Sequence, residues 1–236
     1  MTFFRRGEKM KTKLTVITVA GLLWAWPTGA ETTNAARVIA PERISLYEVP
    51  LVCPAAPQIG CGSRSKPILL ALEREAAVAE AWLNCAGTVM AVVWKPEAKR
   101  TKRAATLRAI SKKEEFEARE LSGTARKKAL KDFLSGAGWL QGRDVDRLSE
   151  EEAGIIAARL VRRIQAKVPV SNEKAEALRV EFAEIFKRRF TSAQDNDEPN
   201  LDERLLKVLQ SHLDEKEVAV LKATLPRTVR PLPGEK

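Results

Sequence analysis

A single histidine, His212, stands among 236 residues, with one tyrosine and three cysteines. Sites that need two or more histidines are thereby excluded, which removes most catalytic zinc enzymes and the two-histidine iron oxygenases. Only thiolate or carboxylate metal sites remain. Also missing are a nucleophile–histidine pair, a Gly-rich phosphate loop and a Cys-x-x-Cys pair, so hydrolytic and redox catalysis lack their usual motifs and no enzyme is expected. No 18-residue apolar run is present to cross a bilayer as a mature helix. What is there, 44% hydrophobic and 31% charged residues with 12 glycines and 12 prolines, suits one large or two small globular domains.

The first 30 residues read as an address. Arg5, Arg6, Lys9, Lys11 and Lys13 precede an uncharged stretch over 14–26, and Pro27-Thr28-Gly29-Ala30 follows, the three parts of a secretory signal peptide. Small Ala30, with Thr28 two residues earlier, suits cleavage before Glu31. Met10 would itself make a normal start, so the true first residue is either Met1 or Met10. The expected location is therefore periplasmic or extracellular. Cleavage removes five basic residues and one acidic, leaving 36 against 30, or net +6 in place of +10. A basic exported chain meets anionic headgroups and envelope proteins more than nucleic acid, so an envelope protein partner or peripheral contact with an anionic membrane surface is expected, and nucleic acid is not. The densest basic stretch, 95–113, reads most simply as a solvated helix face.

Composition divides the rest. Residues 44–94 are rich in Val, Ile, Leu, Cys, Pro and Gly, whereas from Pro96 onward Ala, Glu, Lys, Arg and Leu recur with helical periodicity. Residues 45–52 read as a strand, 53–65 as a loop, and a helix opens with Pro67 in its first turn. Strands over 79–83 and 88–94 flank Asn84-Cys85-Ala86-Gly87, whose Asn and Gly suit a hairpin turn. Helices are expected over 96–110, from a capping box of Ser111 with Glu114, and over 124–134. Residues 139–145 would then be a fourth strand. A second capping box, Ser149 with Glu152, opens a helix running to Pro169, and its partner over 171–190 completes an antiparallel hairpin. Two short helices over 201–212 and 214–225 follow a polar linker. The expected fold is α+β: a small ferredoxin-like βαββ(αβ) sheet domain over 44–147 after an extension at 31–43, then an all-α region of a helical hairpin (148–191), linker (192–200) and C-terminal helices with a tail (201–236).

The cysteines carry the sharpest chemistry. Cys53, Cys61 and Cys85 all lie in the α/β part. A right-handed strand-helix-strand unit makes the first two strands parallel, so the loop after one and the hairpin after the other share an end of the sheet. All three cysteines are therefore expected at one pole. Cys61 precedes the helix, where the N-terminal dipole favours a thiolate. Three soft sulfurs suit Cu(I), Zn(II) or Hg(II) as a cofactor. The alternative is a structural Cys53–Cys61 disulfide closing a short loop.

The loop "VCPAAPQIGCGSRSKP" followed by "ILLALEREAAVAEAWLNCAGTVMAVVW" resembles the heavy-metal-associated domain, the ferredoxin-like module of copper chaperones and periplasmic mercuric-ion binding proteins. The resemblance covers residues 44–94. That family carries Gly-Met-x-Cys-x-x-Cys after its first strand; Cys53 and Cys61 match the pair here at a longer spacing, with Cys85 in addition.

Residues 88–94 are apolar on both alternating sets, so both faces of this strand must be covered. The helices of 149–190 or a second copy of the chain are the candidates, which leaves oligomerisation open. Trp82, Trp94 and Trp139 read as packing residues, and His212 as a surface residue. Two functions follow: an exported thiophilic-metal-binding protein with ligands Cys53, Cys61 and Cys85, or a non-enzymatic envelope adaptor with a Cys53–Cys61 staple and a basic helical partner-binding surface.

Overall fold

The computed structural model describes residues 38–191, 201–224 and 229–235. The leader, most of the N-terminal extension and the 192–200 linker fall outside the described residues.

Chain order is β1 (Ile44–Glu48), α1 (Gly62–Glu73), β2 (Val78–Asn84), β3 (Val89–Trp94), α2 (Arg100–Lys113), β4 (Arg119–Glu120), α3 (Gly123–Ser135), β5 (Trp139–Leu140), α4 (Asp146–Gln165), α5 (Asn172–Thr191), α6 (Leu201–His212) and α7 (Glu215–Thr224). The molecule is thus a mixed α+β unit with a five-stranded antiparallel sheet, followed by an all-α region. The strands lie in the order β4-β1-β3-β2-β5. Because β1 and β2 each pair antiparallel with β3, they run parallel to one another, as expected for strands joined through a helix.

Several boundaries differ from the sequence reading. The helix after the loop begins at Gly62, with Cys61 as its extended N-cap, and Ser65 closes the first turn by donating its N–H (3.0 Å) and hydroxyl (2.6 Å) to the Cys61 carbonyl. Pro67 therefore sits inside the helix. Ser111 lies within α2 and starts no second helix. Ser149 and Glu152 likewise lie inside α4, both buried, and form no capping box. The strand position beside β1 belongs to Arg119–Glu120, while of 139–145 only Trp139–Leu140 is strand, paired with β2 at the opposite edge.

Two cores result, one on each side of the sheet. Tyr47, Leu83, Met90, Val92 and Trp94 face α1, α4 and α5 in a cluster that continues to Leu209 and Leu221 of the last two helices. The Trp94 indole N–H is satisfied by the Ser45 hydroxyl at 2.9 Å. The other face, with Ile44, Leu46, Ala91 and Val93, is closed by Phe133 of α3 and by Trp139. The helices of 149–190 expected there instead share the α1 side, because the apolar face of α3 already covers the second layer. Phe133 is wholly buried and meets Trp139 edge-on, with ring centroids 5.1 Å apart. Phe133→Ala is expected to cost about 3–5 kcal/mol, read as a lowered urea midpoint, because no other aromatic ring of α3 can fill that space.

Trp82, Trp94 and Trp139 are packing residues as expected. Arg100, Lys102, Arg108, Lys112 and Lys113 of α2 are exposed, a solvated basic face. His212 pairs with Glu181 at 2.7 Å. Among the described residues no helix is long and apolar enough to cross a membrane.

Candidate functional site: a dithiol at a helix N-terminus

After β1 the chain continues alongside the β2–β3 turn, with Val49 N–H donating to Thr88 O and Leu51 N–H to Gly87 O, both at 3.0 Å. It then doubles back. Val52 and Gly60 form an antiparallel bridge, framed by Cys53 N–H to Ile59 O (2.9 Å) and Cys61 N–H to Leu51 O (2.7 Å). In such a ladder residues 53 and 61 flank the bridged pair and project to the same face, within diagonal reach. A spacing of eight positions in sequence thus becomes a pairing of two thiols on one face, close enough that each shifts the other's acidity.

This hairpin is seated by glycine. Gly60 N–H donates to Cys85 O at 2.7 Å, and a side-chain carbon on Gly60 would lie 2.9 Å from the Gly87 Cα. Below it, Gly62 packs so closely on α4 that an added Cβ would stand 2.3 Å from Ser149 Oγ. The cysteine hairpin, the β2–β3 turn and α4 are therefore locked together where the first turn of α1 begins.

The two thiols have opposite characters. Cys61 is held low, at about 5, first by the hydrogen bond from Cys53, then by the Ser63 hydroxyl, the Arg64 backbone N–H and the Arg64 charge, against its burial. Its sulfur lies 3.4 Å from Ser63 Oγ. The helix N-terminus adds to this, since free N–H groups and the dipole favour an anion there. Cys53 is pushed up and keeps its proton, first through the neighbouring Cys61 sulfur, then through burial and Glu152. Its sulfur also accepts the Ala56 N–H at 3.2 Å. Cys61 retains 6% of its surface and Cys53 none, so of the paired sulfurs Cys61 is the one open to a reactant, while Cys85, half-buried, lies outside the pair.

A third group completes the site. Glu152 of α4 is 6% exposed, its carboxyl pushed up by burial while hydrogen-bonding Cys53, and its Oε2 has no partner. Glu152 escaped the sequence reading because Ser-x-x-Glu resembled a capping box. The signal that exposes it is its place four residues before Ile156, on the apolar stripe of α4.

Two expectations are overturned. Among the described residues no group of three or more Cys, His, Asp or Glu is placed to hold a metal ion, so Cys53, Cys61 and Cys85 are not a Cu(I), Zn(II) or Hg(II) site, and no metal partner or heavy-metal-associated binding loop is supported. The reason lies in the placement of Cys85. Its carbonyl accepts the Gly60 N–H, but its thiol, pushed up first by burial and then by the Glu151 charge, is not among the groups that shift Cys53 or Cys61, so the third sulfur does not join the pair. Nor is there a structural staple, since all three cysteines are free thiols. No protein-family model, curated protein or solved structure matches the chain.

Proposed function

We propose that the protein is an exported dithiol carrier that exchanges disulfides with partner proteins through Cys61 and Cys53. The observation that carries this reading is the pairing itself: the Val52–Gly60 bridge sets a thiol at a helix N-cap on the same face as a second, fully buried thiol, with the first lowered, the second raised and the buried Glu152 acting on the second. Nucleophilic attack needs a thiolate that is reachable, and resolution needs a second sulfur held within bonding range. The sequence lacked Cys-x-x-Cys, but the hairpin supplies the same juxtaposition by a longer route.

The chemistry balances as follows. The Cys61 thiolate attacks one sulfur of a partner disulfide, forming a Cys61–partner mixed disulfide and releasing the other partner sulfur, which takes a proton from water. Glu152, as carboxylate, accepts the proton of Cys53. The Cys53 thiolate then attacks the Cys61 sulfur, forming Cys53–Cys61 and expelling the second partner thiolate, which is protonated in turn. Two electrons pass from this chain to the partner; the reverse sequence oxidises a partner dithiol. One exchange leaves the pair in the other state, so the chain acts stoichiometrically, in keeping with the expectation of no enzyme. Cys85 stands outside the exchange. The basic leader pattern of residues 1–30 supports the exported setting, and the order β4-β1-β3-β2 with helices between β1 and β2 and between β3 and β4 supports a ferredoxin-like reading of the sheet.

The test is alkylation of reduced protein by iodoacetamide against pH, followed at Cys61 by mass spectrometry. Only the thiolate reacts, so the rate rises with pH through the folded value and should be half-maximal near pH 5, well under the usual thiol value of about 8.5. Cys53→Ala removes the hydrogen bond that contributes most and should move the midpoint upward. An ordinary midpoint, or no Cys53–Cys61 disulfide after incubation with oxidised glutathione, would overturn the proposal.

A further inference from the structure

A second site lies further along α4, toward its C-terminal half. A cavity of about 650 Å³ opens between α4, α5, α6 and the C-terminal tail, within the range of small-molecule pockets. Its wall is aliphatic, with Leu160, Leu205, Leu206 and Leu209 beside Phe182. Among the described residues its polar lining is cationic almost alone: Arg159, Arg163, Lys222 and Arg230 stand against the carboxylate of Asp202, with no Ser, Thr, Asn or Gln beside them.

Two of these arginines are buried, Arg159 at 4% and Arg163 at 8% exposure. Buried guanidinium groups need acceptors. Arg163 has a carboxylate, binding both oxygens of Glu235 at 2.9 and 2.6 Å and holding that carboxyl low, at about 2. Arg159 has only carbonyls on its Nη1, Ala55 O at 2.7 Å and Val229 O at 2.8 Å, and its buried Nε has no acceptor. The chain's own tail thus already delivers one carboxylate and two carbonyls, Val229 O to Arg159 and Arg230 O to Arg163, to this cationic floor, and leaves the Arg159 Nε unsatisfied.

An anionic head with a plain hydrocarbon body matches that lining. A sugar or nucleotide would find no neutral hydrogen-bonding side chain among the described lining residues, and an alkyl chain without charge would leave Arg159 as it is. We propose that this cavity binds a single-chain aliphatic carboxylate, its hydrocarbon along Leu160, Leu205, Leu206 and Phe182 and its carboxylate on the Arg159 guanidinium, where it competes with the tail carbonyl of Val229. This does not depend on the dithiol reading. It does connect to it, because Arg159 Nη1 also holds Ala55, within the cysteine hairpin.

Dodecanoate, below its micelle concentration, is the probe. Titration calorimetry and native mass spectrometry on the full chain should show one bound equivalent, with dodecanol at least about tenfold weaker because it cannot satisfy a charged donor. Arg159→Lys should weaken dodecanoate by a similar factor. Leu205→Trp, which fills the cavity from a half-buried position and leaves both arginines in place, should abolish uptake and decides the matter if the arginine variant fails to fold. No uptake by the native chain, equal binding of dodecanol, or uptake unchanged by Leu205→Trp would overturn the proposal.

Discussion

Cys61→Ser is expected to leave the chain inert toward disulfides, with no mixed disulfide formed and no thiols lost on incubation with oxidised glutathione. The sulfur that a reactant can reach would be gone, and Cys53, wholly buried and with its proton engaged, does not replace it. Cys53→Ser should give the opposite phenotype. Attack by Cys61 still proceeds, but without a resolving sulfur the mixed disulfide accumulates and survives non-reducing electrophoresis. Glu152→Gln keeps the shape and removes the proton acceptor, so resolution should slow by roughly 10²-fold while the first attack is little changed. Thiol counting gives a further check: the reduced chain has three free thiols, and oxidation should leave Cys85 alone. If Cys61→Ser reacted as fast as the parent, Cys85 would be the reactive group and the assignment of roles would fail.

Gly87→Ala is expected to be among the most damaging single changes in the sheet unit. Gly87 has φ +71°, and a Cβ there would lie 2.4 Å from Leu51 O and 2.5 Å from the Gly60 Cα, both backbone atoms that cannot turn aside. The left-handed backbone costs an L-residue about 1–2 kcal/mol and overpacking a further 1–3 kcal/mol, so about 2–5 kcal/mol should be lost in urea unfolding. Gly138 is the matched control. It has the same φ of +71° but open space around it, so Gly138→Ala should show the left-handed cost alone. The surplus at Gly87 measures the close approach of the two hairpins. Forcing them apart should also loosen the bridge at Val52 and Gly60, raising the pH midpoint of Cys61 alkylation toward that of an ordinary thiol. A Gly87→Ala protein as stable as the Gly138→Ala one would show that the cysteine hairpin is seated by other contacts.

Much of the architecture was legible because it is local. Short apolar, β-branched runs marked β2 and β3, Asn84 and Gly87 marked the turn between them, and helical spacing of apolar residues marked α4 and α5. The parallel relation of β1 and β2, and with it the gathering of the cysteine-bearing segments at one pole, followed from the handedness of a strand-helix-strand unit. The place of Cys61 before α1 was also readable, and the N-terminal dipole predicted the direction of its shift. Where patterns were degenerate the reading failed. Ser-x-x-Glu marked a helix start at Ser149 when both residues belong to the buried side of α4, and residues 139–145 carried enough apolar character to mimic a strand that Arg119–Glu120 provides. Two polar residues make a strand there because β1 offers a free edge, and edge pairing is a backbone matter that side-chain periodicity does not encode.

What the sequence determined by itself was therefore the succession of elements and the chemical types available: soft sulfur, carboxylate, a single histidine, no paired imidazoles. What only the tertiary structure decided was which of those groups touch. Cys53 is set beside Cys61 because a backbone bridge at Val52 and Gly60 fixes their register, Cys85 stands apart because it meets the hairpin through its backbone carbonyl, and Glu152 joins the pair because α4 packs against Gly62. Each depends on an approach between segments distant in the chain, set by backbone hydrogen bonds and by the absence of side chains at Gly60, Gly62 and Gly87, and no local pattern of residues records such distances.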